Sequence, residues 1–443
     1  MMVGSGVAAA EPARVSSPNG KIEATVSLQK KPSPYPEAAR VYYRVSYQGR
    51  PVLVDSPLAL DFKDMPALAD GLEIVDTSSR VVDAEWQRVW GKRTRVVDRF
   101  HELRVDLGEG AGLQRRLTLL VRAYDDGVAI RYVLPEQEAF SDFQLTSERL
   151  EFHFSSNHRI WAANYFGQQA TSHTQHIANT RARARPADWP GSYSGFFSHQ
   201  ESEFVEQFVN MLSPREVYGC PILVEVEESL WVALTEANLT DWAGLYFSHA
   251  NTGRYALVTA LSPRRDEPDV LVKSRAPRHS PWRVIMIGER PGDLVESDLI
   301  SNLNAPSAIG DPSWITPGKS AWDRWWSGDY MPDADFEVGM NDATMKYFID
   351  FAAEQGWEYQ LVDWTWYGAP FLEGTWISDP DRDITRSIPE VDIPGLVEYA
   401  KGKGVKLLVW LEWEQCRRQM EEAFPLYEKW GVAGVKIDFM QRD

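Results

Sequence analysis

The run Gly434-Val435-Lys436-Ile437-Asp438 places a lysine and an aspartate two residues apart in an otherwise apolar segment. In a strand, side chains alternate between faces, so Lys436 and Asp438 point the same way. An ammonium beside a carboxylate favours the ionised, nucleophilic form of the acid. Such a group can attack or stabilise a carbon that develops positive charge, as an anomeric carbon does. The same two residues could equally form a structural ion pair at a strand end. Asp363, followed by Trp364, offers a second acid: an acceptor for neighbouring hydroxyls, or a cap for the loop that follows. Trp326, Trp364 and Trp410 recur at predicted strand ends. Indole faces stack on the apolar C–H faces of sugars, but indoles are also core residues whose N–H needs a partner.

These residues need a scaffold that brings strand ends together. After residue 318 the pattern alternates between strand and helix. Strands are expected at Ala321–Trp326, Glu358–Asp363, Val405–Leu411 and Ala433–Phe439. The helices between them should start at Asn341 or Asp342, at Asp392 and near Glu414, the last bent near Pro425. Near-continuous apolar strands separated by amphipathic helices imply a parallel sheet covered on both faces. Four such repeats are about half of a (β/α)8 barrel, whose function gathers at the C-terminal strand ends. The chain is therefore expected to break off inside a TIM barrel, with an open α/β sheet as the alternative. The preceding part differs. Residues 14–300 carry short alternating runs such as Lys21–Leu28 and Val128–Val133, with turn signals at Pro18-Asn19-Gly20 and Asp125-Asp126-Gly127. That texture predicts a large antiparallel sandwich. Residues 301–318, rich in Pro, Gly, Ser and Asn, read as a linker to the partial barrel at 319–443, and Ala178–Ser198 as a long exposed loop.

With 46 basic and 64 acidic side chains among 443 residues, the net charge is −18. This sign argues against nucleic acid or an anionic membrane as the main partner, since both need a positive surface. The 18 Trp, 17 Tyr and 18 Phe suit a protein that handles sugars, though aromatic cores use them too. Cys220 and Cys416 lie too far apart for a metal-binding spacing and read as buried thiols. No apolar stretch is long enough to span a bilayer. The start, Met1–Ala13, reads as the remnant of a signal peptide with Ala8-Ala9-Ala10 at its cleavage site, so a periplasmic or secreted location is expected.

Taken in order along the chain, many short segments resemble glycoside hydrolase family 97. They include Val89-Trp90-Gly91-Lys92-Arg93, Arg122-Ala123-Tyr124-Asp125-Asp126-Gly127, Thr235-Glu236-Ala237-Asn238-Leu239, Trp314-Ile315-Thr316-Pro317-Gly318 and Trp430-Gly431 through Phe439-Met440. The resemblance implies an N-terminal β-super-sandwich followed by a catalytic barrel, and hydrolysis of α-glycosides. It implies that Asp438 is the nucleophile of the retaining, α-galactosidase-like branch, whose two carboxyls stand ~5–5.5 Å apart. Lys436, Asp363, Trp326, Trp364 and Trp410 would then bind the terminal sugar of an oligosaccharide or α-galactoside. It also implies a calcium ion, to which Glu201 in Ser198–Phe204 would contribute. The family's general acid/base glutamate and remaining calcium ligands would lie past residue 443, so the chain by itself is expected to be inactive. The segment after Asp363, Trp364-Thr365-Trp366-Tyr367, is bulkier than is usual in relatives. Two rivals stand beside this reading: an inverting α-glucosidase of the same family, and a non-catalytic carbohydrate-binding fragment.

Overall fold

A computed structural model describes residues 11–165, 203–212 and 217–439, apart from positions 34, 36, 139, 253, 254, 265, 266, 268, 324–330, 332, 333 and 376. Two compact units divide the chain between Gly310 and Asp311, within the Pro/Gly-rich stretch 301–318.

The first unit is β-rich. Its described residues form nineteen strands, and every ladder between them is antiparallel. Alternation in the sequence becomes alternation in burial: along Ile22–Gln29, Ile22, Ala24 and Val26 are buried while Glu23 and Thr25 are half-exposed. The predicted turns form as well. Arg116–Tyr124 and Gly127–Leu134 meet in a hairpin whose last pair is Tyr124 with Gly127, so Asp125 and Asp126 make the turn. Gly127 cannot be replaced cheaply, because a Cβ there would stand 2.5 Å from the Ile285 carbonyl oxygen and 2.7 Å from Leu299 Cδ2. The strand Leu72–Gln87 departs from the alternating rule. It pairs with Arg95–Glu109 and is exposed along most of its length, so no two-residue pattern marks it in the sequence.

An ion cluster lies buried in this unit. Arg283, fully buried, donates to both oxygens of buried Glu148 at 2.6 and 2.7 Å, and to Glu236 at 2.7 Å. Glu236 belongs to the Thr235–Leu239 segment singled out above, and its other oxygen accepts the Leu245 N–H at 3.0 Å. Burial raises the Glu236 carboxyl above the usual carboxylate range, against the pull of Arg283.

The second unit holds four strands, β1 (Ser320–Trp322), β2 (Tyr359–Val362), β3 (Lys406–Glu412) and β4 (Gly434–Asp438), all parallel and in sequence order. Helices α1 (Asp342–Glu354), α2 (Ile393–Gly402) and α3 (Trp413–Trp430) connect them. The Asn341 side chain accepts the Thr344 N–H and Asp392 accepts that of Gly395, satisfying amides that the first helical turn leaves free. Gly431, at φ 85°, ends α3 in a left-handed conformation that glycine adopts without a steric penalty. A single helix spans Pro425. Met345, Ile349, Leu396, Val397 and Ala400 turn inward onto Leu407, Val409 and Leu411 to form one core. The first strand is described over Ser320–Trp322, and positions 324–326 of the expected Ala321–Trp326 lie outside the described residues. Directly after it, the Asp323 carboxylate accepts the Asp363 N–H at 3.0 Å. Among the described residues, no helix is long and apolar enough to cross a membrane.

Candidate active site

Parallel pairing brings the C-terminal ends of β1 to β4 side by side. The register sets Trp410 opposite Lys436 and Glu412 opposite Asp438, so these four side chains share one face of the sheet. Asp363, directly after β2, projects toward the same place, with Lys436 Nζ 3.5 Å from its Oδ1. The ammonium is also 3.1 Å from Asp438 Oδ2 and lies 5.1 Å from the centre of the Trp322 ring. Lys436 thus bridges the ends of β2 and β4, and weakens the repulsion between two carboxylates.

Asp438 is half-buried and held on both oxygens. Oδ2 accepts the Trp410 indole N–H at 3.0 Å, and Oδ1 accepts the Phe439 N–H at 2.8 Å. Burial alone would raise its pKa. The bonds from Trp410 and Phe439 and the charge of Lys436 outweigh burial and hold the carboxyl below its ordinary value. The result is an anion at neutral pH at the open end of a strand, which is what nucleophilic attack on carbon requires. Phe439 takes φ 55° and Thr365, two residues after Asp363, takes φ 76°. Left-handed backbone is costly for aromatic and β-branched residues, and such strain gathers at functional sites.

An aromatic and polar layer lies behind these acids. Trp366 donates to the Trp410 carbonyl at 2.7 Å, and the Tyr367 ring stacks on Trp410 with centroids 6.2 Å apart. The Tyr367 hydroxyl accepts the Glu412 N–H at 3.0 Å and donates to Gln415 Oε1 at 2.8 Å. Glu412, buried, caps α3 by accepting the Glu414 and Gln415 N–H groups, and also takes a bond from Ser378.

Asp438, Lys436 and Asp363 therefore meet at one place, with Trp410 behind Asp438. Trp364, half-buried, has its ring 6.2 Å from that of Phe439. The expectation that Trp410 offers a stacking face to a sugar is corrected. The ring is 1% exposed and covered by Tyr367 and Phe439, so its reachable chemistry is the N–H given to Asp438. Trp326 and Glu201 lie outside the described residues, as do Ala178–Ser198 and Met1–Ala10. Among the described residues no group of three or more His, Cys, Asp or Glu side chains could hold a metal ion. Glu412 stands, as its place in Trp410-Leu411-Glu412 suggests, at the end of the third strand. Asp323 was not picked out in the sequence; its only signal was to be an acid in the tryptophan-rich run Ala321–Trp326.

Comparison with known proteins bears on the family of the chain. Residues 15–306 match the family model described as Glycosyl-hydrolase 97 N-terminal, and residues 325–443 match Glycoside hydrolase 97. The chain is 26% identical over 445 residues to a protein of Bacteroides thetaiotaomicron named retaining alpha-galactosidase, covering 97% of this chain and 60% of that relative. It is 30% identical over 407 residues to a probable retaining alpha-galactosidase of Streptomyces bingchenggensis, covering 90% of this chain and 54% of that one. The chain thus spans little more than half the length of these relatives. Among solved structures, a glycoside hydrolase family 97 enzyme from Pseudoalteromonas sp. strain K8, in complex with acarbose, superposes with a TM-score of 0.76 at 26% identity. That match covers 96% of this chain and 59% of the Pseudoalteromonas chain. With two models of one family matched in sequence order over residues 15–306 and 325–443, the chain belongs to glycoside hydrolase family 97.

Proposed function

We propose that the protein hydrolyses terminal α-glycosidic bonds with retention of configuration, with α-galactosides as its substrates and Asp438 as the nucleophile. The observation that carries this reading is the state of Asp438: ionised, fixed by Trp410, Lys436 and the Phe439 N–H, and placed at the strand end. Attack by this carboxylate on the anomeric carbon forms a glycosyl ester, which water then cleaves. The proton for the leaving oxygen would come from a glutamate, the residue type that the family resemblance implies as general acid/base. Asp363, linked to Asp438 through Lys436, would accept hydroxyls of the terminal sugar, and Trp364 would border the same subsite. Support for retention comes also from the names of the two curated relatives.

The wider architecture in this reading is a β-super-sandwich ahead of a (β/α)8 barrel, of which β1 to β4 are the first half. Calcium enters the proposal through Glu201, and an exported location through the Ala8-Ala9-Ala10 run. An inverting α-glucosidase is the second reading, because the Pseudoalteromonas relative was solved with acarbose.

The test is Asp438→Ala in the enzyme, with an aryl α-galactoside as substrate. Turnover should be lost and partly restored by azide, and proton NMR of the unmutated enzyme should see α-galactose first. An unaffected variant sinks the assignment of Asp438, and β-sugar appearing first sinks retention.

A further inference from the structure

An ionised carboxylate has about four in-plane acceptor positions, two on each oxygen. In Asp438 they are not used evenly. Oδ2 takes two donors, the Trp410 indole at 3.0 Å and the Lys436 ammonium at 3.1 Å. Oδ1 takes the Phe439 N–H at 2.8 Å, and no second donor to it stands among the described residues.

We propose that Trp410 is a positioning residue for Asp438: together with Lys436 it occupies Oδ2, so that the carboxylate meets its substrate through Oδ1. This rests on the reading of Asp438 as the nucleophile, and goes beyond it by naming the residue that orients the acid and the oxygen that attacks. In that step a bond forms between Oδ1 and the anomeric carbon as the bond from that carbon to the leaving oxygen breaks. The leaving oxygen takes its proton from a carboxylic acid, or needs none when the leaving group is fluoride.

The indole is suited to the task because it cannot move away. Trp410 is 1% exposed, its carbonyl is held by Trp366 Nε1 at 2.7 Å, and its ring lies between Tyr367 and the edge of Phe439. A buried N–H left without a partner is costly, so ring and carboxylate hold each other in place. Lys436 differs. Its side chain is 36% exposed and divides its charge between Asp363 and Asp438, so salt screens it. Other charged groups face the site from the neighbouring strands: Asp363 after β2, with Asp323 bonded to its N–H, and Glu412 at the end of β3 in register with Asp438. None of them supplies a neutral donor, so Trp410 holds the carboxylate in a way that neither salt nor the titration of neighbours removes.

The experiment uses the chain labelled with carboxyl-13C aspartate and 15N-tryptophan. In the unmutated protein the Trp410 indole proton should shift with pH along the midpoint of Asp438, and Asp438→Asn should abolish that titration. Trp410→Phe keeps a ring and removes the donor, and should raise the Asp438 midpoint by about one pH unit. An indole proton that stays still while Asp438 titrates overturns the proposal even if Trp410→Phe fails to fold. An unmoved midpoint in a folded Trp410→Phe protein does the same. The attacking oxygen is tested by the crystal structure of the enzyme trapped with a 2-fluoro-α-galactosyl fluoride. Ester formation at Oδ1 supports the assignment, and ester formation at Oδ2 refutes it. A missing adduct beside an intact indole titration refutes Asp438 as nucleophile, and the Oδ1 assignment with it, while the hydrogen bond stands.

Discussion

Replacing Arg283 by methionine tests whether the first unit depends on its buried charges. The guanidinium is fully buried and makes three short hydrogen bonds, two to Glu148 and one to Glu236. Methionine fills much of the volume but leaves buried Glu148 and partly buried Glu236 without their cation. The Trp242 indole at 3.4 Å from Glu148 and the Leu245 N–H on Glu236 are then the main donors that remain. Breaking a buried pair from one side costs about 3–5 kcal/mol. The protein can limit that loss by protonating the acids, at about 1.36 kcal/mol for each pH unit above a glutamate pKa of ~4.3. For one glutamate this escape costs about 3.7 kcal/mol at pH 7 but only about 1 kcal/mol at pH 5. The sign follows. A carboxyl whose folded pKa is raised binds more protons folded than unfolded, so the stability of the variant should rise as pH falls from 7 toward 5. Urea unfolding followed by tryptophan fluorescence should show a deficit of about 4 kcal/mol at pH 7, shrinking by more than half at pH 5. A deficit that stays below about 1 kcal/mol, or does not change with pH, would refute the view that this cluster is a charge-compensated element of the core.

Two further predictions concern the site. Lys436→Met removes the cation that lowers the Asp438 pKa, so the acid limb of the pH–rate profile should move up by about one unit. An unchanged limb would mean that the Trp410 and Phe439 bonds alone set that pKa. If calcium is held through Glu201, titration calorimetry of the unmutated chain should give binding heat that Glu201→Gln removes; identical traces would take Glu201 out of the proposal.

The sequence by itself determined the periodic parts of this protein. Alternation located strands such as Ile22–Gln29. Helical spacing together with Asn341 and Asp392 fixed two helix starts, because the chemistry of a cap is local and needs no tertiary partner. Lys436 and Asp438 could be placed on one face from their spacing alone, since a strand repeats every two residues. Only the tertiary structure decided what those residues touch. Trp410 looks like a sugar platform in one dimension. In three it is walled in by Tyr367 and Phe439, and its N–H is spent on a carboxylate 28 residues later. Asp323 gave no strong signal, because its carboxylate binds the backbone N–H of Asp363, 40 residues away and just past the end of β2. Arg283, Glu148 and Glu236 are far apart along the chain, and their union follows from which strands pair, which no local pattern encodes. Leu72–Gln87 escaped notice for a related reason: a strand exposed along most of its length has no apolar face to alternate, and its ladder with Arg95–Glu109 supplies what its sequence lacks.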